Sequence, residues 1–163
     1  MKKIIICLFA AFICFGIVAQ QADTKPLKKN KPGDKKESKK GKYSIGDTGP
    51  GGGIVFHIAG NTYMEVSHIL GEYQWDEALK VAKNYKGGGF TNWQLPTKEQ
   101  LNNIYVNLKD NSSANLGDTW HWSSSEYNDS DSDAWVQFFS NGNQYSALKT
   151  KIGRVRAVRA FTP

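Results

Sequence analysis

Cysteine is scarce in this chain and absent from most of it. Only Cys7 and Cys14 occur, both within the first apolar stretch. Beyond residue 14 this excludes disulfides, thiolate metal sites and a thiol nucleophile. Histidine is nearly as rare: His57, His68 and His121 do not have the spacing of a metal-ligand set. The serines do not sit in a nucleophile elbow. The glycines at 49 and 51–53 are not followed by Gly-Lys-Ser/Thr and precede a strand rather than a helix, so they do not read as a phosphate loop. No apolar run after residue 18 is long enough to span a bilayer. With no catalytic constellation in view, the chain reads as a non-enzyme without an obligatory cofactor.

What is present begins with an export pattern. Lys2 and Lys3 precede an apolar run from Ile4 to Val18, and Ala19 is a suitable residue before a cleavage point, so residues 1–19 read as a secretory signal peptide. An uncleaved signal anchor is the alternative, but the run is shorter than the roughly 20 residues that cross a bilayer comfortably. Ile13 ahead of Cys14 is not the small residue that a lipidated cysteine requires. The expected destination is secreted, cell-surface-associated or periplasmic, with no membrane span after cleavage.

Residues 20–42 carry nine lysines against three acids, with Pro26, Pro32 and hardly any apolar side chains. Such a segment cannot bury enough surface to offset chain entropy, and it reads as a disordered linker. It serves either as a solvated spacer or as a tether to a polyanionic surface. Residues 43–163 hold ten basic and twelve acidic residues, so the chain's net charge of +6 arises entirely before this part, which is itself near −2. Nucleic acid is a poor partner for an exported domain without a basic recognition helix.

From Tyr43 onward the pattern is that of a folded domain. Ile54–Ile58 and Thr62–Val66, joined through Gly60-Asn61, read as a hairpin. A first helix is expected over about 74–84, with Trp75, Ala78, Leu79 and Ala82 on its apolar face and an Asp76–Lys80 pair on its surface. Gly87–Gly89 ends it. Thr97 and Gln100 have the spacing of a capping box and open a second helix whose inner face is Leu101, Ile104, Tyr105 and Leu108. Strand signals then follow at Thr119–Ser123, Trp135–Phe139, Gln144–Lys149 and Arg154–Phe161, with Asn141-Gly142 as a turn. The expectation is an α+β domain of two helices and about six short strands, without repeats and without the crossover helices of a doubly wound sheet.

Several pieces occur together in a recognisable order. They are the Tyr43-x-Ile45-Gly46-Asp47-x-Gly49-Pro50-x-Gly52-Gly53-x-Val55-Phe56 start, Trp75-x-x-Ala78, Trp93-x-Leu95-Pro96-Thr97-x-x-x-Leu101, Trp122-Ser123-Ser124-Ser125-Glu126, Ala134-Trp135 and Arg156-x-Val158-Arg159-Ala160-Phe161. The combination resembles the Lcl C-terminal-like (DUF1566) family, within the C-type-lectin-like and formylglycine-generating-enzyme-like fold group, over residues 43–163. The resemblance implies a C-type-lectin-like fold with two helices packed against short, mainly antiparallel strands, often in surface proteins. Some related domains bind polysaccharide. The Glu-Pro-Asn and Gln-Pro-Asp signatures of many calcium-dependent lectins are missing, and the thiol chemistry of the formylglycine-generating relatives has no cysteine here.

Candidate contacts lie in the second half of the domain. Glu126, Asp129, Asp131 and Asp133 offer hard oxygen ligands for calcium, although Ala134 and Ser140 stand where an EF-hand needs Gly and Glu. A hydrated acidic loop is the alternative. Tyr127, Asn128 and Tyr145 combine aromatic faces with hydrogen-bonding groups suited to carbohydrate. Arg154 and Arg156 have guanidinium forks suited to an anionic glycan or another cell-envelope component; the alternative is that the C-terminal arginines pair internally, with Glu65, Glu99 or Asp118 as partners. Function at this level is non-covalent recognition by loops on an exported scaffold, or, alternatively, homo-oligomeric assembly without a small ligand.

Overall fold

A computed structural model describes residues 43–163; the expected signal peptide at 1–19 and linker at 20–42 lie outside the described residues. The first chain reversal is the expected one. β1 (Ile54–Ala59) pairs antiparallel with β2 (Thr62–Val66) across Gly60-Asn61, in a register that sets Val55 opposite Glu65 and Ala59 opposite Thr62. A short strand that periodicity did not reveal, β3 (Gly71–Tyr73), leads into α1 (Trp75–Asn84). Trp75, Ala78 and Ala82 are buried on one side of α1, with Leu79 packed beside them. Its surface ion pair is Lys80 with Glu77 at 3.5 Å rather than the expected Asp76–Lys80. Both spacings lie on one helix face, so the sequence does not decide between them.

The second helix, α2 (Lys98–Leu108), opens with the anticipated capping box. The Thr97 hydroxyl accepts from Gln100 N at 3.2 Å, and the Gln100 side chain accepts from Thr97 N at 2.9 Å, which satisfies two donors that the first turn leaves free. Pro96 precedes the cap and stiffens the approach. Leu101, Ile104 and Leu108 are fully buried.

The rest is strand. β4 (Trp120–Glu126), β5 (Asp133–Phe138) and β6 (Gln144–Leu148) form an antiparallel meander, and β7 (Gly153–Val155) and β8 (Val158–Phe161) follow. The turn between β5 and β6 uses Gly142 at φ +80°, a conformation that favours glycine. The Gln137 amide donates to Gly142 O at 3.0 Å and to Asn102 Oδ1 at 3.3 Å, fastening that turn to α2.

Eight strands among the described residues form a three-stranded sheet in the order β1-β2-β8 and a five-stranded sheet in the order β3-β7-β4-β5-β6. The expected single strand from Arg154 to Phe161 is therefore two. The chain leaves one sheet at Val155 and enters the other at Val158, because Ala157 N bonds the Ser67 hydroxyl at 2.8 Å instead of continuing a ladder. Alternation along β4 and β5 divides the helices between the two faces of the larger sheet. Trp122, Ala134 and Val136 pack with α1, while Phe139 packs with Leu101, Ile104 and Leu108 of α2. The expected α+β class, with two helices against short, mainly antiparallel strands, is the architecture observed. The β4–β7 pairing is parallel.

Candidate functional site

The glycine-rich entry to β1 wraps a buried carboxylate. Glu65 on β2 is fully buried and accepts hydrogen bonds from Gly51 N at 3.0 Å and Gly53 N at 3.0 Å. An alanine Cβ at position 51 would lie 2.5 Å from the Trp93 ring and 2.7 Å from Glu65 Oε1, so the close approach admits only glycine. The charge on Glu65 is met by Arg159, whose Nη1 donates to Oε1. Arg159 Nε also donates to Asn92 Oδ1 at 3.0 Å, and its guanidinium stacks 3.6 Å from the Phe90 ring centroid. This cluster joins the glycine turn, β2, the 90–93 segment and β8. It is a structural clamp, and it is one of the internal pairings considered for the C-terminal arginines.

Arg156 lies on the other side of the chain's passage between sheets. It is 2% exposed, yet it meets no carboxylate among the described residues. Its Nη1 donates to Ser67 O at 2.9 Å, Nη2 donates to Asn115 O, and Nε faces His121 Nε2 at 3.4 Å. His121 Nδ1 lies 3.2 Å from Thr119 O. That arrangement fits the neutral ring with its proton on Nδ1, donating to Thr119 and accepting from Arg156. Burial, then the Arg156 charge, pushes the His121 pKa down to about 3. Burial, then neighbouring Arg154, lowers Arg156 to about 10, which leaves it protonated at neutral pH. Beside the guanidinium opens a cleft of about 390 Å³, lined by Ile54, Ser67, His68, Ser113, Asn115 and Arg156 among others. Arg154, one rung away opposite His121, pairs with Glu72 at 3.3 Å.

The acidic loop after β4 is arranged around a lysine. Lys149 Nζ donates to Glu126 Oε2 at 2.6 Å and to Asp131 O at 2.7 Å, and it lies 4.5 Å from the Trp75 ring centroid. An ammonium group therefore takes the Glu126 carboxylate, one of the four expected ligands, together with the Asp131 carbonyl. Among the described residues no three His, Cys, Asp or Glu side chains converge as a metal set. The structure thus does not bring Glu126, Asp129, Asp131 and Asp133 together as the calcium hypothesis requires. Asp129 instead raises the Tyr127 pKa, through hydrogen bonding first and charge second.

Tyr127 packs edge-on against Trp135 at 5.1 Å, and Lys98 Nζ lies 3.0 Å over the Trp135 ring. Asn128 is exposed beside them. Tyr145 is 50% exposed on β6, with its hydroxyl accepting from Asn143 Nδ2 at 3.0 Å. The five residues expected to contact a ligand therefore do not form one site. Tyr127 and Asn128 follow the C-terminal end of β4, whereas Arg154 and Arg156 adjoin His121 near its start, about 20 Å away at strand rise. Of the partners of Arg156, His121 is a buried structural histidine, while Ser67 and Asn115 escaped sequence reasoning, since they meet Arg156 through backbone carbonyls that no side-chain pattern announces.

No curated protein matches this chain. Among the solved structures that resemble it are botrocetin and a chain of a complex between a von Willebrand factor A1-domain mutant and botrocetin. Each shows 12% identity and a TM-score of 0.41, covering 66% of this chain and 95% of the other. The model of the Lcl C-terminal domain family matches residues 57–159, from within β1 to within β8. That span takes in both helices, the acidic loop and the two buried arginines, and the chain belongs to the Lcl C-terminal domain family.

Proposed function

We propose that this protein is an exported, non-catalytic binding module with a C-type-lectin-like scaffold, which recognises a surface polysaccharide or another cell-envelope ligand through its loops. The observation that carries this reading is the surface after β4. There the Tyr127 and Trp135 rings meet edge to face, Lys98 covers one ring, and Asn128 and Asp129 stand exposed alongside. With Trp135 covered by Lys98 and braced by Tyr127, it is the Tyr127 ring, next to directional hydrogen-bonding groups, that suits the C–H faces and hydroxyls of a sugar. The lysine-rich residues 20–42 would set reach or hold the domain near an anionic surface, and residues 1–19 would direct export.

A glycan array and a surface-extract pull-down with the full chain test this reading, with Tyr127→Ala and Asn128→Ala as variants. Binding that falls in both variants while their circular dichroism stays that of the parent is the expected result. A negative array and extract with folded protein, or retention undiminished in both variants, overturns it.

Assembly is the second reading, and β6 favours it. This outer strand of the five-stranded sheet exposes Tyr145 at 50% and Leu148 at 49%, a surface suited to a second copy. It requires a molecular mass that rises with concentration in sedimentation, and a fixed monomer would exclude it.

A further inference from the structure

Three arginines crowd the end of the chain, and their charges are met differently. Arg159 is neutralised by Glu65, and Arg154 pairs with Glu72 at 3.3 Å. Arg156, the most deeply buried of them, has among the described residues only two carbonyl oxygens and a neutral imidazole. A guanidinium carries five N–H donors, and these contacts use three. Removing a cation from water without a counter-charge is costly, and dipoles repay it only in part. The adjoining cleft of about 390 Å³ lies within the size range of small-ligand sites. Its rim carries exposed Ser113 and Asn115, and Ile54 gives part of its wall an apolar character.

We infer that the cleft beside Arg156 is an anion-binding subsite, which takes the carboxylate or sulfate group of a small ligand as the missing counter-charge. The two remaining guanidinium N–H groups would hold the oxyanion through charge-assisted bonds, with the Ser113 hydroxyl and the Asn115 amide at the rim supplying further donors. Because His121 is neutral, the cation behind the cleft is Arg156 itself. The subsite does not depend on the Tyr127 surface, which follows the far end of β4, and each proposal can fail while the other stands.

The test is a titration of the isotope-labelled full chain, followed by amide NMR, with sodium sulfate in one arm and sodium acetate in the other. Both are compared with sodium chloride at equal ionic strength. Saturable shifts at Ser67–His68 and Ser113–Asn115 are expected, with a Kd on the order of millimolar for an isolated anion; the arm that saturates identifies sulfate or carboxylate. Two variants complete it. Arg156→Lys should weaken binding by about tenfold or more, because a point charge replaces the fork. Ser113→Trp fills the mouth from an exposed position, keeps the Arg156 contacts, and should weaken binding similarly even if Arg156→Lys proves unfolded. Absence of saturable shifts in both arms, shifts confined to residues 20–42, or parental affinity in Ser113→Trp overturns the inference.

Discussion

Replacing Glu65 by glutamine keeps the shape of a buried side chain and removes the only carboxylate that Arg159 meets among the described residues. In the parent, Oε1 and Oε2 together receive Gly51 N, Gly53 N and Arg159 Nη1, so every contact of the carboxylate is with a donor. Glutamine offers one acceptor oxygen and turns an NH2 group towards donors at the other position. Arg159, 5% exposed, is left charged with Asn92 and aromatic faces as its remaining company. Breaking a buried ion pair from one side costs about 3–5 kcal/mol. For a domain of this size, each kcal/mol lowers the melting temperature by roughly 3–6 °C, so Glu65→Gln should melt about 10–30 °C below the parent. Scanning calorimetry and urea unfolding measure this. Arg159→Met and the double variant complete the cycle, and the double variant should be more stable than the sum of the single losses by about 2 kcal/mol or more. A Glu65→Gln loss below about 1 kcal/mol, or additive single losses, would refute the clamp.

Two further outcomes follow from buried side chains. Trp122 is fully buried, its indole donates to Tyr73 O at 2.9 Å, and it meets Trp120 edge-on at 4.9 Å; Trp122→Ala should cost about 3–5 kcal/mol, read as a lower urea midpoint, and Trp75→Ala, which also loses a bond to Ser123 O, should fall in the same range. The His121 pKa is depressed from 6.5 to about 3 in the folded state, so between those values the unfolded chain binds the extra proton. Its stabilisation is therefore complete above about pH 6.5 and is lost as pH falls towards 3, with a limiting slope of about 1.4 kcal/mol per pH unit. Urea midpoints of the parent should fall between pH 7 and pH 4.5 more steeply than those of His121→Gln, and parallel profiles would show that the ring is not held neutral.

Much of the secondary structure was legible because it is local. The Thr97/Gln100 cap, the 3,4,7 spacing of Leu101, Ile104 and Leu108, and the turn at Gly60-Asn61 each depend on residues within one or two turns of chain. Their local chemistry already agrees with the final fold. The glycines at 49 and 51–53 gave no sign along the chain of the carboxylate they wrap, since Glu65 lies more than ten residues away. Tertiary structure alone decided where the last strand would divide. Val155, Ala157 and Val158 are apolar in either sheet, and only the Ser67 hydroxyl on Ala157 N shows where the ladder changes.

The same limit governed the sites. Four acidic residues in eight positions looked like one cluster, but folding pairs Glu126 with Lys149, and the four carboxylates do not converge. Arg154 and Arg156 were expected to meet one anionic ligand, yet folding gives Arg154 the carboxylate of Glu72 and leaves Arg156 with carbonyls beside a cleft. Charge spacing along the chain was written in the sequence. Which charge meets which depends on distances across sheets, and a few ångströms there separate a neutral clamp from an unanswered cation.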